Sequence, residues 1–160
     1  MKLLILCTGN SCRSQMAEGF LKSFDSRPEI FSAGTQPAEK VNPNTIIVMK
    51  EAGIDLSGNT PKSVDQFVSM SFDFVITVCS GAKETCPVFL GHVKQRLHIG
   101  FNDPAKATGT DDQILAVYRR VRDEIKEQFD EYRDSIGLND IVDSILYGED
   151  EEDEDEEDEE

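Results

Sequence analysis

The sequence predicts an α/β fold: a single three-layer domain around a four-stranded parallel sheet, followed by a disordered acidic tail. Short apolar runs alternate with longer segments of helical periodicity, a pattern typical of a parallel sheet covered by helices. The chain has 160 residues, which is enough for one core. Residues 149–160 are all Asp or Glu. We therefore predict a folded domain over 1–147 and a tail over 148–160.

Four segments have the composition of strands. The first, 2–6, is an unbroken apolar run, which suits a strand buried on both faces of a parallel sheet. The segment "FDFVITVCS", 72–80, is dense in Phe, Val and Ile. The shorter runs 29–33 and 96–101 complete the predicted sheet.

Helices are predicted between and after these strands. The segment 13–24 carries apolar residues at helical spacing. Asn42 suits an N-cap and Pro43 a first helical position, so a second helix begins there and ends near Ala52, before Gly53. The segment 111–136 is a long amphipathic helix, and 138–147 is one further short helix.

The negative charge is concentrated at one end of the chain. The net charge is −16, but the tail carries 12 of the 32 acidic residues, which leaves 20 acidic against 16 basic residues elsewhere. A body of this kind does not favour nucleic-acid binding. We expect the tail to be disordered because its charges repel one another, and to aid solubility, with the docking of a basic partner as the alternative.

The cysteines favour chemistry over architecture. No apolar stretch approaches the roughly 20 residues of a membrane span, and the start does not resemble a signal peptide, so we predict a cytoplasmic protein. Thiols there are usually reduced, so four cysteines favour a catalytic or redox role. His92 and His98 have no cysteine or acidic cluster around them, and we predict neither a metal nor a cofactor.

The segment "LLILCTGNSCRS" passes from a strand, through small residues, to a helix that begins at Arg13. Such a loop exposes backbone N–H groups at a helix N-terminus, and these attract an anion. Arg13 can bind two oxygens of a tetrahedral oxyanion as a bidentate fork. The Gly-Lys-Ser/Thr string of nucleotide-binding loops is missing, which argues against ATP or GTP. The predicted oxyanion-binding residues are Thr8, Gly9, Asn10, Ser11, Cys12, Arg13 and Ser14.

Cys7 stands at the mouth of this loop, at the end of the first strand. The loop N–H groups, Arg13 and the hydroxyl of Ser14 are expected to stabilise its thiolate and to lower its pKa. The pattern therefore predicts a nucleophilic sulfur beneath a bound oxyanion. The alternative is an ordinary turn that contains a half-buried cysteine.

The strings "CTGNSCRS", "QMAEGF", "SAGT" and "VNP" resemble those of the low-molecular-weight tyrosine phosphatases, and more narrowly of the arsenate reductases built on that fold. The resemblance covers about residues 2–130. It implies that Cys7 is the nucleophile, that Arg13 binds the oxyanion and that Asp103, in Asp103-Pro104, is the general acid. By itself Asp-Pro also marks a turn. No aromatic residue follows Pro104 closely, which favours a small inorganic oxyanion over an aryl phosphate.

Two further cysteines separate a reductase from a phosphatase. Reducing As(V) to As(III) takes two electrons, which thiols supply by forming a disulfide, whereas a phosphatase needs no second thiol. Cys79 and Cys86 match cysteines of the thioredoxin-coupled reductases. The resemblance implies that Cys79 attacks Cys7, that Cys86 then attacks Cys79, and that the segment 80–87 moves. The alternatives are two small buried side chains, a phosphatase, or a redox-responsive binding module.

The resemblance also implies the partners. We predict arsenate as substrate, phosphate and sulfate as competing oxyanions, thioredoxin as electron donor, and a monomer, while mycothiol or glutaredoxin remain open as donors. Some reductases of this branch bind potassium through an Asn, a Glu, a Ser and an Asp. Asn10, Glu18 and Ser32 match the first three, but Lys62 aligns with the fourth, where its ammonium could take the place of the cation, so we do not predict potassium and leave the binding of a monovalent cation open.

Overall fold

The computed structural model of the protein describes residues 1–135. The predicted helix 138–147 and the acidic tail lie outside the described residues. Of the described helices, none is long and apolar enough to cross a membrane. The elements, in chain order, are β1 (Lys2–Cys7), α1 (Arg13–Phe24), β2 (Glu29–Gly34), α2 (Pro43–Glu51), β3 (Phe72–Thr77), α3 (Ser80–Thr85), β4 (Val93–His98) and α4 (Asp111–Ser135), with 3-10 turns at Val64–Gln66 and Pro104–Lys106.

The four strands form one parallel sheet in the order β2-β1-β3-β4. β1 lies inside the sheet, and its side chains from Leu3 to Leu6 are fully buried, as an unbroken apolar run requires. α4 packs on α1 and α2, while α3 packs on β1 and β3. The predicted α/β domain with a four-stranded parallel sheet is confirmed.

The helix boundaries follow the local signals in the sequence. α1 spans the predicted 13–24. Asn42 caps α2, because its side chain accepts a hydrogen bond from the backbone N–H of Asn44 at 2.9 Å, and Pro43 is the first helical residue. Gly53 follows with φ of 82°, a conformation that suits glycine after a helix.

Two predicted strands are displaced. The strand predicted over 72–80 ends at Thr77, because Cys79 instead caps α3 by accepting a hydrogen bond from the backbone N–H of Ala82 at 3.4 Å. The strand predicted over 96–101 runs from Val93 to His98. β4 is an edge strand with a polar sequence, so its boundaries come from pairing with β3 and not from an apolar pattern.

Candidate active site

The site lies where β1 and β3 end side by side. Cys7 is the last residue of β1, and Cys79 follows the end of its neighbour β3 by two residues. Ligands of open parallel sheets bind at this carboxyl edge. A cavity of about 650 Å³ opens there. It is lined by Thr8, Arg13, Cys79, Ser80, Gly81, Phe101, Asn102, Asp103 and Lys106.

The loop after β1 is held from inside by the buried side chain of Asn10. Asn10 itself has φ of 51°, in the left-handed region that Asn tolerates better than most residues. Its amide Nδ2 donates to Ser14 Oγ at 2.8 Å and to Ser32 Oγ at 3.0 Å. Its Oδ1 accepts from the backbone N–H of Lys62 at 2.9 Å. The loop shape is therefore fixed before any anion binds.

The loop carbonyls point towards the chain after β2. Those of Thr8, Gly9 and Ser11 accept backbone N–H groups from residues 36, 38 and 42 at 2.9–3.0 Å. In a trans peptide the following N–H points the opposite way. The N–H groups of Gly9, Asn10 and Cys12 therefore face away from that chain, which is the orientation that an anion-binding loop needs.

Arg13 opens α1, and its side chain is only 12% exposed. Its Nη1 donates to the carbonyl of Phe101 at 3.1 Å, and Nη2 lies 3.7 Å from Asp103 Oδ2. Its Nε is buried and has no hydrogen-bond partner among the described residues. An unsatisfied buried donor is costly, more so on a charged group, and an oxyanion oxygen would satisfy it.

Cys7 and Cys79 are both buried, at the ends of neighbouring strands. The hydrogen bond to Cys79, together with burial, raises the pKa of Cys7, against the lowered value predicted from the sequence. The same hydrogen bond lowers the pKa of Cys79 to about 4. The hydroxyl of Thr8 at 3.3 Å and the N–H of Ala82 at 3.4 Å also stabilise the Cys79 thiolate. Of the two sulfurs, Cys79 therefore has the lower pKa, because it accepts hydrogen bonds from Cys7, Thr8 and Ala82.

Cys86 lies at the other end of α3, where it is the C-cap residue and only partly buried. Its Sγ lies 3.7 Å from Nη1 of Arg96. Burial raises the pKa of Cys86, and the guanidinium of Arg96 opposes that effect. The three cysteines of the predicted relay therefore lie in one region, with α3 between the second and the third.

Asp103 both caps a turn and lines the cavity. Its Oδ1 accepts the backbone N–H of Ala105 at 3.0 Å and so caps a 3-10 turn that begins at Pro104. Its Oδ2 faces Arg13 at the cavity. The turn therefore positions a carboxyl group beside the guanidinium.

The charged group beside Glu18 is the ammonium of Lys22 and not that of Lys62. Glu18 is nearly buried and accepts hydrogen bonds from Ser32 Oγ at 3.0 Å and from Lys22 Nζ at 3.2 Å. Lys62 Nζ instead reaches the carbonyl of Thr60 at 3.5 Å. Lys22, one helical turn after Glu18, is the closer cation because the two share a helix face. Within residues 1–135, no group of three His, Cys, Asp or Glu side chains could hold a metal.

Three further residues lie at or beneath the site, and the sequence analysis did not single out two of them, Gln15 and Lys106. Cys12 is buried under the loop, and burial raises its pKa. Gln15 is fully buried and donates from Nε2 to Asn10 Oδ1 at 3.2 Å. A glutamine on the inner face of a helix is the signal that could have shown it. Lys106 lines the cavity, but nothing in the sequence sets it apart from other lysines.

The inner strand of the parallel sheet ends at a cysteine, a loop of small residues follows, and the next helix begins at an arginine. This arrangement defines a class of enzymes. The chain belongs to the low molecular weight phosphotyrosine protein phosphatase family, whose pattern matches residues 2–140. Within that family it is 50% identical over 124 residues to an arsenate reductase of Halalkalibacterium halodurans, which covers 77% of this chain and 88% of that protein.

A second relative and a solved structure agree. An arsenate reductase of Bacillus subtilis is 44% identical over 134 residues, or 83% of this chain and 95% of that protein. The structure of an arsenate reductase in the phosphate binding state is 33% identical, with a TM-score of 0.69, and covers 84% of this chain and 98% of that one. The resemblance to the arsenate reductases seen in the sequence is thereby confirmed.

Proposed function

We propose that this protein is a thioredoxin-coupled arsenate reductase, in which Cys7, Cys79 and Cys86 carry two electrons to arsenate. The observation that carries the proposal is that Cys79 lies at the strand end next to Cys7, with its sulfur 3.3 Å from the hydroxyl of Thr8 in the loop that follows Cys7. A phosphatase needs one thiol there, whereas a reductase needs a second within reach. The similarity to proteins named arsenate reductase supports the same conclusion.

In the first step the loop N–H groups and Arg13 bind arsenate, and the Cys7 sulfur attacks arsenic. A sulfur–arsenic bond forms, the thiol proton passes to an arsenate oxygen, and a hydroxyl leaves as water with a proton from Asp103. Arsenic remains As(V). The raised pKa of Cys7 makes this proton transfer a necessary part of the step.

In the second step the Cys79 thiolate attacks the Cys7 sulfur. A disulfide forms, the sulfur–arsenic bond breaks, and its electron pair stays on arsenic, which leaves as arsenite, As(III). The lowered pKa of Cys79 keeps this sulfur ionised and ready for attack. Cys86 then attacks Cys79 and frees Cys7, and the dithiol of thioredoxin reduces the Cys79–Cys86 disulfide.

The transfer to Cys86 requires α3 to unwind. Cys79 and Cys86 cap the two ends of a six-residue helix. At the helical rise, seven residue steps span about 10 Å. Disulfide-bonded cysteines have Cα atoms about 4.4–6.8 Å apart. The helix must therefore open before Cys86 can reach Cys79.

We also propose the setting in which the enzyme acts. The folded domain is 1–147, it works as a monomer in the cytoplasm, and phosphate and sulfate compete with arsenate for the loop. A phosphatase is the second candidate, because the family and the trio Cys7, Arg13 and Asp103 suit a cysteinyl-phosphate intermediate equally well.

The test is arsenate-dependent NADPH oxidation with thioredoxin and thioredoxin reductase. Wild-type protein should turn over, and Cys7→Ser, Cys79→Ser and Cys86→Ser should not. The stages of failure differ: in a single turnover, Cys86→Ser should release one arsenite per enzyme and Cys79→Ser none. Brisk Cys7-dependent hydrolysis of an aryl phosphate, without arsenate reduction, would establish the phosphatase instead.

A further inference from the structure

A second cavity, of about 340 Å³, lies on the side of α3 where Cys86 is found. Its apolar walls come from β3 and β4, and apart from Cys86 its charged or titratable lining residues are basic. Lys83 faces it from α3, while Arg96 and His98 face it from β4. Cys86 is the only thiol among the described residues that line this cavity.

Arg96 is the member of this group that contacts the sulfur. Its Nη1 lies 3.7 Å from Cys86 Sγ. Its guanidinium carbon lies 5.5 Å from the centre of the Phe89 ring, within the range of a cation–π contact. Phe89 is itself buried and meets the ring of Phe72 edge-on at 6.0 Å. Arg96 is thus held between a core-anchored ring and the thiol.

The chain after Cys86 is fixed at its far side. The backbone N–H of Leu90 donates to the carbonyl of Val68 at 2.6 Å, and that of Phe72 donates to His92 at 2.8 Å. On the other side, α3 must open for the relay to proceed. Cys86 therefore lies between a fixed segment and a segment that moves, and Arg96 belongs to the fixed part of the molecule.

We propose that Arg96 is a positioning residue for Cys86, which holds this sulfur at the hinge of the moving segment and stabilises it as a thiolate for attack on Cys79. The inference rests on the proposed relay. In the step concerned, a Cys86–Cys79 bond forms, the Cys7–Cys79 bond breaks, and its electron pair goes to the Cys7 sulfur. The proton lost by Cys86 is taken up at Cys7, so the exchange is redox-neutral.

Charge supports the geometry. Burial raises the pKa of Cys86, and Arg96 lowers it through its charge and hydrogen bond. Lys83 and His98 share the cavity, whereas Arg96 is the basic residue whose hydrogen bond reaches the sulfur. Lys94, two residues before Arg96 on β4, is paired with Asp73 at 3.2 Å and provides a matched control. An opposite charge within about 4–6 Å lowers a pKa by roughly one to three units.

The first experiment measures how fast iodoacetamide alkylates Cys86, by peptide mass spectrometry, in the reduced full-length protein over about pH 6–10. Arg96→Gln should move the profile upward by roughly one pH unit, which slows alkylation at pH 7 about tenfold. Arg96→Lys should recover part of the shift, and Lys94→Gln should match wild type. An unchanged profile in Arg96→Gln, or an equal shift in Lys94→Gln, would overturn the proposal.

The second experiment adds one equivalent of arsenate to reduced enzyme without thioredoxin. Arg96→Gln should slow the appearance of the Cys79–Cys86 disulfide about tenfold and leave the rate of arsenite release unchanged. Equal slowing of both would place Arg96 in the earlier chemistry and reject its assignment to Cys86. If wild type releases no arsenite, the proposed function fails, while the alkylation profile still decides the Arg96–Cys86 contact.

Discussion

At the scale of single residues, Cys7 and Cys79 show how two neighbouring cysteines come to differ in pKa. Both are buried thiols, yet the pKa of one is raised and that of the other is lowered to about 4. Cys79 gains its charge from donors supplied by Cys7, Thr8 and Ala82. In the proposed relay, the sulfur that attacks in the second step therefore has the lower pKa, and the proton of Cys7 is left for the bound oxyanion to accept.

Replacing Cys7 tests this division. Cys7→Ala removes the largest cause of the lowered Cys79 pKa and should raise it from about 4 towards the ordinary 9.0, so Cys79 alkylation at pH 6 should slow. Cys7→Ser keeps a hydroxyl donor and should shift the profile less. The measurement is the pH profile of Cys79 alkylation, read by peptide mass spectrometry. A Cys7→Ala profile identical to wild type would assign the charge to Thr8 and α3 instead.

Asp103 offers a substitution that keeps the turn and removes the acid. Asp103→Asn retains an oxygen to accept the N–H of Ala105, so folding should be unaffected. General acid catalysis is typically worth about a hundredfold to ten-thousandfold in rate. We expect kcat for arsenate to fall by at least about a hundredfold with little change in melting temperature. A rate within a few-fold of wild type would leave Asp103 a structural cap.

The sequence was a better guide to which residues are candidates for the site than to the pKa of each residue. Cys7, Arg13 and Asp103 were predicted as site residues because each follows from a local pattern and a family resemblance. The charge on Cys79 depends on a contact between segments 71 residues apart, which no local pattern encodes. Lys22 is the opposite case, because its i,i+4 spacing from Glu18 on one helix is a local pattern that the sequence does contain.

At the scale of elements, α3 is where the sequence pattern misled. The β-branched run before Cys79 predicted a strand to residue 80, yet the capping interaction of Cys79 with Ala82 starts a helix at Ser80. A short helix is marginally stable by itself. Marginal stability suits a segment that must open in the proposed relay.

Oxidation should therefore melt α3. One equivalent of arsenate, without thioredoxin, should leave wild type with a Cys79–Cys86 disulfide and should remove amide protection from residues 80–85. Cys86→Ser stops at the Cys7–Cys79 disulfide and serves as the control, which should keep that protection. Hydrogen exchange followed by mass spectrometry measures both. Equal protection in reduced and oxidised wild type would contradict the opening of the helix.

The contact between the end of β2 and the loop after β1 can be tested by comparing alanine substitutions at two glycines. A Cβ on Gly34 would lie 2.5 Å from the carbonyl oxygen of Thr8 and 3.1 Å from the nitrogen of Asn10, so the backbone would have to shift. Gly34→Ala should cost about 1–3 kcal/mol of stability and weaken oxyanion binding. Gly58→Ala, which meets nothing within 4 Å, should change neither. Thermal unfolding and phosphate competition measure the two effects, and equal behaviour of the variants would contradict the proposed crowding.

At the scale of the whole molecule, the alternation of strands and helices was sufficient to predict the class of fold. An apolar β1 had to lie inside the sheet, and it does. The boundaries of β4 could not be predicted, because an edge strand exposes Lys94, Gln95 and Arg96 and takes its length from pairing with β3. Pairing register is a property of the assembled sheet.

The acidic tail gives a prediction that depends on charge alone. Deleting residues 149–160 removes 12 carboxylates and changes the net charge from −16 to about −4. Repulsion of arsenate should then weaken, so KM at low ionic strength should fall by roughly twofold. The difference should vanish near physiological salt, where the Debye length is about 8 Å. Steady-state kinetics at two salt concentrations measures this, and a salt-independent change would point to a direct contact.

The order of the strands also has a consequence during synthesis. β1 and β2 are synthesised well before β3, because Thr8 and Cys79 are 71 residues apart in the chain. Synthesis proceeds at about 5–20 residues per second, so the thiol of Cys7 stays exposed to solvent for several seconds before β3 is made. Oxidants encountered in that interval meet an unprotected nucleophile. Cys7 is therefore most exposed to oxidation during synthesis, before the sheet that buries its sulfur is complete.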